Sequence, residues 1–149
     1  MQSLREQLGA GEKRERLIED GLKVLDEEVA DKSGITGMAV KGAYKVVKSI
    51  KPGFLREVVD NLLDDFLESL DPIYQEAAEK KKAAGQHLVD NSGRAADALL
   101  AVTDRRAEKA QRAIIKSTYE RLRPMAKKQV EAAAPRMGQL LDRHALSTV

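Results

Sequence analysis

The chain has 149 residues, with 26 Lys and Arg against 24 Asp and Glu, two His and no Cys. Without Cys there are no disulfides, thiolate metal sites or cysteine nucleophiles. The length allows one domain with a real core, and 34% charged against 3% aromatic residues, with few Gly or Pro, predicts helices rather than a sheet.

Residues 1–11 hold only Leu4 and Leu8 as apolar anchors, so a short docking turn or a frayed end is expected there. A helix should start near Glu12 and run to about Asp31, with Leu17, Ile18, Leu22, Leu25 and Val29 as its apolar stripe. Gly21 interrupts it at a cost of about 1 kcal/mol relative to alanine, and is either a site of close helix approach or simply tolerated.

Asp31 to Asp71 is the best-specified stretch, two amphipathic patterns joined by Lys51-Pro52-Gly53. In the first, Val40, Ala43, Tyr44, Val47 and Ile50 share a face, with Lys41, Lys45, Lys48 and Lys51 beside it. In the second, Leu55, Val58, Val59, Leu62, Phe66 and Leu70 make the apolar face, and Asp60, Asp64, Asp65 and Glu68 fall mainly elsewhere. An antiparallel hairpin should form here, its basic and acidic helices meeting at the rim. It is expected to be the centre of the core. Ser33 and Thr36 are candidate N-caps of the basic helix, and Gly37 and Gly42 suggest close packing.

Asp71-Pro72 reads as the start of a further helix, running to about Asn91 with a break near Ala84-Gly85. After Asn91-Ser92-Gly93 an apolar stripe from Ala96 through Leu100, Ala107 and Ile114 to Ser117 continues toward Arg123. Unbroken, that helix is on the order of 45 Å long. It overshoots a bundle of this size. A kink near Ser117-Thr118 or a projecting end used for dimerisation through Ile114 resolves the excess. Pro124 and Pro135 should kink or end the last helical stretch, and residues 147–149 are expected to fray.

The fold expected is therefore all-α, a single domain over residues 1–149, with five or six helices around the 31–71 hairpin. The N-terminus is too charged for a signal peptide, and the longest apolar run, Ala98 to Val102, is far short of the roughly 20 residues that span a bilayer. A cytoplasmic protein is expected.

Candidate chemistry is thin. Gly37 to Lys45 lacks the Gly-Lys-Ser/Thr ending and preceding strand of a phosphate-binding loop. Asp60, Asp64, Asp65 and Glu68 lie one helical turn apart, but without facing Glu-x-x-His pairs they read as a solvated acidic face rather than a metal site. His87 and His144 define no base–nucleophile set. No catalytic residue, metal or cofactor is expected. Lys41, Lys45, Lys48 and Lys51 are the candidate contact with an anionic membrane or lipid-like ligand. Arg105, Arg106, Lys109, Arg112 and Lys116 form a basic stripe, continued by Arg121, Arg123, Lys127 and Lys128, that can track phosphates, without any nucleic-acid motif beside it.

Three segments, Asp31–Gly53, Asp97–Lys109 (DALLAVTDRRAEK) and Tyr119–Leu141 (YERLRPMAKKQVEAAAPRMGQLL), resemble an uncharacterised bacterial helical family. It is a domain of unknown function found in actinobacteria and related soil bacteria. The resemblance implies a small intracellular helical protein and brings no catalytic residues. The expected function is a non-catalytic binding or scaffold protein acting by self-association or through a protein partner. The alternative is a peripheral binder of anionic membrane through the basic helix, with an inter-helix enzyme site or nonspecific nucleic-acid binding behind it.

Overall fold

The apolar periodicities become seven helices and no strand in the computed structural model, which describes residues 1–149. They are α1 (Leu4–Leu8), α2 (Gly11–Ala30), α3 (Gly34–Ser49), α4 (Phe54–Glu79), α5 (Ala84–Asp90), α6 (Ser92–Glu108) and α7 (Ala113–His144). The expected count of five or six is exceeded because α1 and α5 are separate short helices.

Residues 1–11 take the docked form. Ser3 and Glu6 make a reciprocal capping box, and Leu4 and Leu8 are fully buried. Asp71 does not cap a new helix. α4 runs straight through Asp71-Pro72 to Glu79, and the Asp71 carboxylate accepts the Leu4 N–H at 2.9 Å instead, capping α1 across the fold. The C-terminal residues are also tied down rather than frayed. Thr148 is buried and donates to the Lys82 carbonyl at 2.5 Å, and the Leu146 N–H donates to Gln7 Oε1 at 2.8 Å. Tyr74, wholly buried, donates to the Leu146 carbonyl at 2.6 Å, so both chain ends close over the second half of α4.

The core is not centred on the 31–71 hairpin. Its buried cluster draws on α1, α2, α4, α5, α6 and α7, and includes no residue of α3. Within α4 the buried positions begin at Leu63 and continue through Leu67, Leu70, Ile73, Tyr74 and Ala77. The sequence pattern favoured the first half of this helix, but the second half is the one enclosed by α1, α5 and α6. The most extensive helix contact is between α5 and α7. There a Cβ on Gly138 would stand 2.7 Å from the Gly85 carbonyl oxygen, so the backbones touch at a point where only glycine fits.

The stripe after Ser92 breaks earlier than expected. α6 ends at Glu108, and residues 109–112 turn the chain back so that α6 and α7 pack together. α7 then runs for 32 residues with Pro124 and Pro135 inside it, about 48 Å at the helical rise per residue. Both prolines are exposed, as is Pro72 in α4. The carbonyl one turn back that each leaves without an N–H therefore lies toward solvent, where water satisfies it.

Candidate functional site

Charge in this fold divides into a neutralised part and a part left open. The acidic side of α4 is met by arginines of other helices, not by the lysines of α3. Arg14 of α2 binds Asp60 at 2.8 Å and Asp64 at 2.7 Å, Arg5 of α1 pairs with Glu68, and Arg106 of α6 reaches Asp65 at 3.0 Å. Arg136 of α7 holds Glu28 at 2.6 Å and also pairs with Asp31, which keeps its guanidinium firmly protonated. The carboxylates of Asp60, Asp64, Asp65 and Glu68 are thus distributed among three arginines.

The histidines are bridges of the same kind. His87, 3% exposed, lies 2.9 Å from Glu76, which also takes Arg94 at 2.8 Å. The hydrogen bonds from Arg94 and His87 hold the Glu76 carboxyl at about 2. His144 and Arg143 both bind Asp20, at 2.7 and 3.0 Å. Burial pushes the Asp20 carboxyl up, but these two hydrogen bonds and the charges behind them carry it below the usual carboxylate value.

Two adjoining hollows lie where α6 turns into α7. One, about 310 Å³, has Val58 and Leu62 of α4 and Ile115 of α7 on its apolar wall. The other, about 440 Å³, is polar and includes Lys116, Glu120 and Arg123. Tyr119 stands between them. Its hydroxyl donates to Asp104 at 2.5 Å and shares a 2.6 Å contact with the Thr103 hydroxyl, while Arg123 holds the same Asp104 at 2.9 Å. Burial, and then the Asp104 carboxylate, raise the Tyr119 hydroxyl, so it stays protonated and acts as a fixed donor.

The open part of the surface is α3 with the start of α7. Away from the chain ends, the large apolar side chains left exposed are Ile35 (90%), Met38 (74%), Val46 (37%) and Ile114 (48%). Ile35, Met38, Gly42 and Val46 follow one another by three or four residues and so form one line along α3. Met38 and Val46 also edge a groove of about 180 Å³ whose other wall is Thr118, Arg121 and Leu122 of α7. On the opposite side of the line, Lys41, Lys45 and Lys48 surround a shallow hollow of about 370 Å³ against α2. α3 contains no acidic residue.

The predicted lysines fare differently from one another. Lys48 is 3.7 Å from Asp26 and Lys51 is 3.0 Å from Glu57, while Lys41 and Lys45 are exposed and have no ion-pair partner. The basic stripe is likewise split. Arg106 is engaged by Asp65, whereas Arg105, Lys109, Arg112 and Lys116 are exposed and make no ion pair. The structure does join the two sets at one point, because Lys51 and Arg112 approach the Phe54 ring at 5.9 and 5.4 Å from its centre. Ile114 stands four and seven residues before Thr118 and Arg121, on the same side of α7 as these two walls of the α3 groove.

Ile35, Met38 and Val46 stand outside the face of α3 that the sequence pattern marks as buried. Their signal was present as a second apolar line on α3, beside the Val40–Tyr44–Val47 line chosen as the buried one. A helix apolar on more sides than its neighbours cover leaves one of them outside.

Residues 4–145 match a family described as a family of unknown function, DUF6918. The chain belongs to that family. The DUF6918 match begins at the first residue of α1 and ends one residue beyond α7, so the α3 ridge and its α7 flank both lie within the family's extent. No curated protein and no solved structure matches the chain significantly. No helix of this DUF6918 chain is long and apolar enough to cross a membrane.

Proposed function

We propose that this chain is a non-catalytic binding protein that receives its partner on the outward face of α3 and the adjoining start of α7. The observation that carries the reading is the coincidence, on one face, of strongly exposed apolar side chains with cations that have no counter-charge. Exposed apolar side chains grouped with a polar rim mark interaction surfaces. Both histidines are engaged in inter-helix carboxylate bridges, which favours structural roles for them.

Self-association through Ile114 uses the same face. A two-fold interface sets a patch against itself, so a second copy would bring Lys41, Lys45 and their neighbours toward their own images. An anionic partner fits this surface better. Sedimentation velocity at rising concentration separates the two. A dimer that dissolves in Ile114→Asp favours the second copy, and a monomer at every concentration favours a different partner.

The binding reading itself is tested with a photo-crosslinking residue introduced at Met38, or at exposed Gln139 on the far part of α7, in cells that express the chain. Adducts at position 38 that are absent at 139 and are lost in Lys41→Gln/Lys45→Gln are the expected result. Equal adducts at both positions, or none at 38, overturn it.

A further inference from the structure

The geometry points to an anionic lipid surface as the partner, with α3 lying along the headgroup layer as an interfacial helix. This rests on the binding face proposed above and assigns its occupant.

Three observations separate a bilayer from an acidic protein. The apolar line is convex and exposed, with Ile35 at 90% and Met38 at 74%, so these side chains project outward like wedges. It also runs between two cationic flanks, Lys41 and Lys45 on the α2 side and Arg121 across the groove on the α7 side. Finally, the free cations nearest the apolar line on α3 are lysines. Protein–protein interfaces are depleted in lysine, whereas lysines bordering an apolar face are characteristic of helices that lie in a membrane interface. Their long stems rest on apolar surface while the ammonium groups reach phosphate.

The absence of any acid from α3 removes the repulsion that an anionic surface would otherwise meet there. Acids beside α3 are neutralised, while Glu120, next to Arg121 on α7, is exposed and makes no ion pair. Asp26 is paired by Lys48 and Glu57 by Lys51, and Asp104 is held by Arg123. Arg112, at the N-cap of α7, adds positive charge beside Lys51 at the Phe54 ring. Ile35 and Met38 then enter the boundary between headgroups and acyl chains, with Lys41, Lys45 and Arg121 on lipid phosphates.

The experiment is flotation of the full chain with phosphatidylcholine vesicles and with equimolar phosphatidylcholine–phosphatidylglycerol vesicles, across a salt series. Binding to the anionic vesicles alone, weakening as salt rises, is expected. Lys41→Gln/Lys45→Gln should lower the partition coefficient about thirtyfold, from the usual contribution of a lysine near an anionic surface. Lys13→Gln/Lys23→Gln, the same charge change on exposed positions of α2, should lower it far less. Ile35→Ser/Met38→Ser should weaken binding at every salt concentration, because salt does not screen the apolar part; circular dichroism verifies that the helices persist. Equal binding to neutral and anionic vesicles, or equal loss in the two lysine pairs, overturns the assignment. No vesicle binding, with the position-38 adducts intact, overturns the lipid surface and leaves the binding face standing for a protein. Loss of those adducts as well removes the face itself.

Discussion

Gly138 and Gly42 both sit inside helices, yet their surroundings are opposite. A Cβ at Gly138 would collide with the Gly85 backbone at 2.7 Å, while one at Gly42 would meet nothing within 4 Å. The first belongs to the α5–α7 crossing, where two backbones close the core. The second lies on the α3 ridge, where nothing covers the helix. The same contrast holds for charge, since carboxylates around α4 are saturated by arginines and Lys41 and Lys45 stand alone. A small residue or a lysine does not say which region it belongs to. The element packed against it does.

Matched truncations test this division most sharply. Leu88, fully buried in the α5–α7 region, should cost about 3 kcal/mol when changed to Ala, by the usual cost of emptying a core site. That corresponds to a fall in Tm of about 6–12 °C for a chain of this length. Met38→Ala should stay within about 0.5 kcal/mol of the parent, as surface changes do. Equal losses in thermal melts would erase the distinction between the two regions.

The glycines should differ in sign. Gly138→Ala forces a methyl into the Gly85 backbone and should destabilise by about 2 kcal/mol, typical of overpacking. Gly42→Ala adds helix propensity in open space and should stabilise by up to about 1 kcal/mol. Urea midpoints compared at a common m-value decide this, and two shifts of the same sign would contradict it.

Asp71→Ala removes the cap that α4 supplies to α1. A loss of about 1 kcal/mol is expected, in the range of other capping carboxylates, with faster amide exchange confined to Leu4–Leu8 and the C-terminal residues that pack there. Unchanged exchange at Leu4 would mean that the Asp71 carboxylate does not hold α1.

The smallest effect is a pH dependence at the Glu76 bridge. Its carboxyl is lowered from the ordinary 4.5 to about 2 by Arg94 and His87. A depressed folded-state value means that the stabilisation is present above about pH 4.5 and is lost as pH falls through about 2. The urea midpoints of the parent and Glu76→Gln should therefore differ near neutrality and converge at the acid end. A constant difference across that window would count against the bridge.

The legible part of this fold was its local part. The 3.6-residue period placed α2 within a residue of its observed bounds, and Lys51-Pro52-Gly53 was recognisable as a turn, where Gly53 takes φ 75°. The break after Glu108 was not legible, because Lys109-Ala110-Gln111-Arg112 contains neither Gly nor Pro. Asp71-Pro72 misled for the opposite reason, a strong local start signal overridden by packing of α4 on both sides of it. At the candidate site the lysines of α3 could be chosen from charge pattern alone. Ile35 and Met38 could not, because exposure depends on which side of α3 its neighbours cover.

By itself the sequence determined an all-helical chain, the bounds of α2 and the presence of a basic, acid-free α3, since these follow from propensity, period and composition along the chain. Tertiary structure alone decided that the core gathers around the second half of α4 and α5–α7, that Asp71 caps α1, and that α3 keeps one apolar side uncovered. Those outcomes depend on which faces meet across long separations in the chain, and the local patterns leave several such pairings equally able to bury apolar surface.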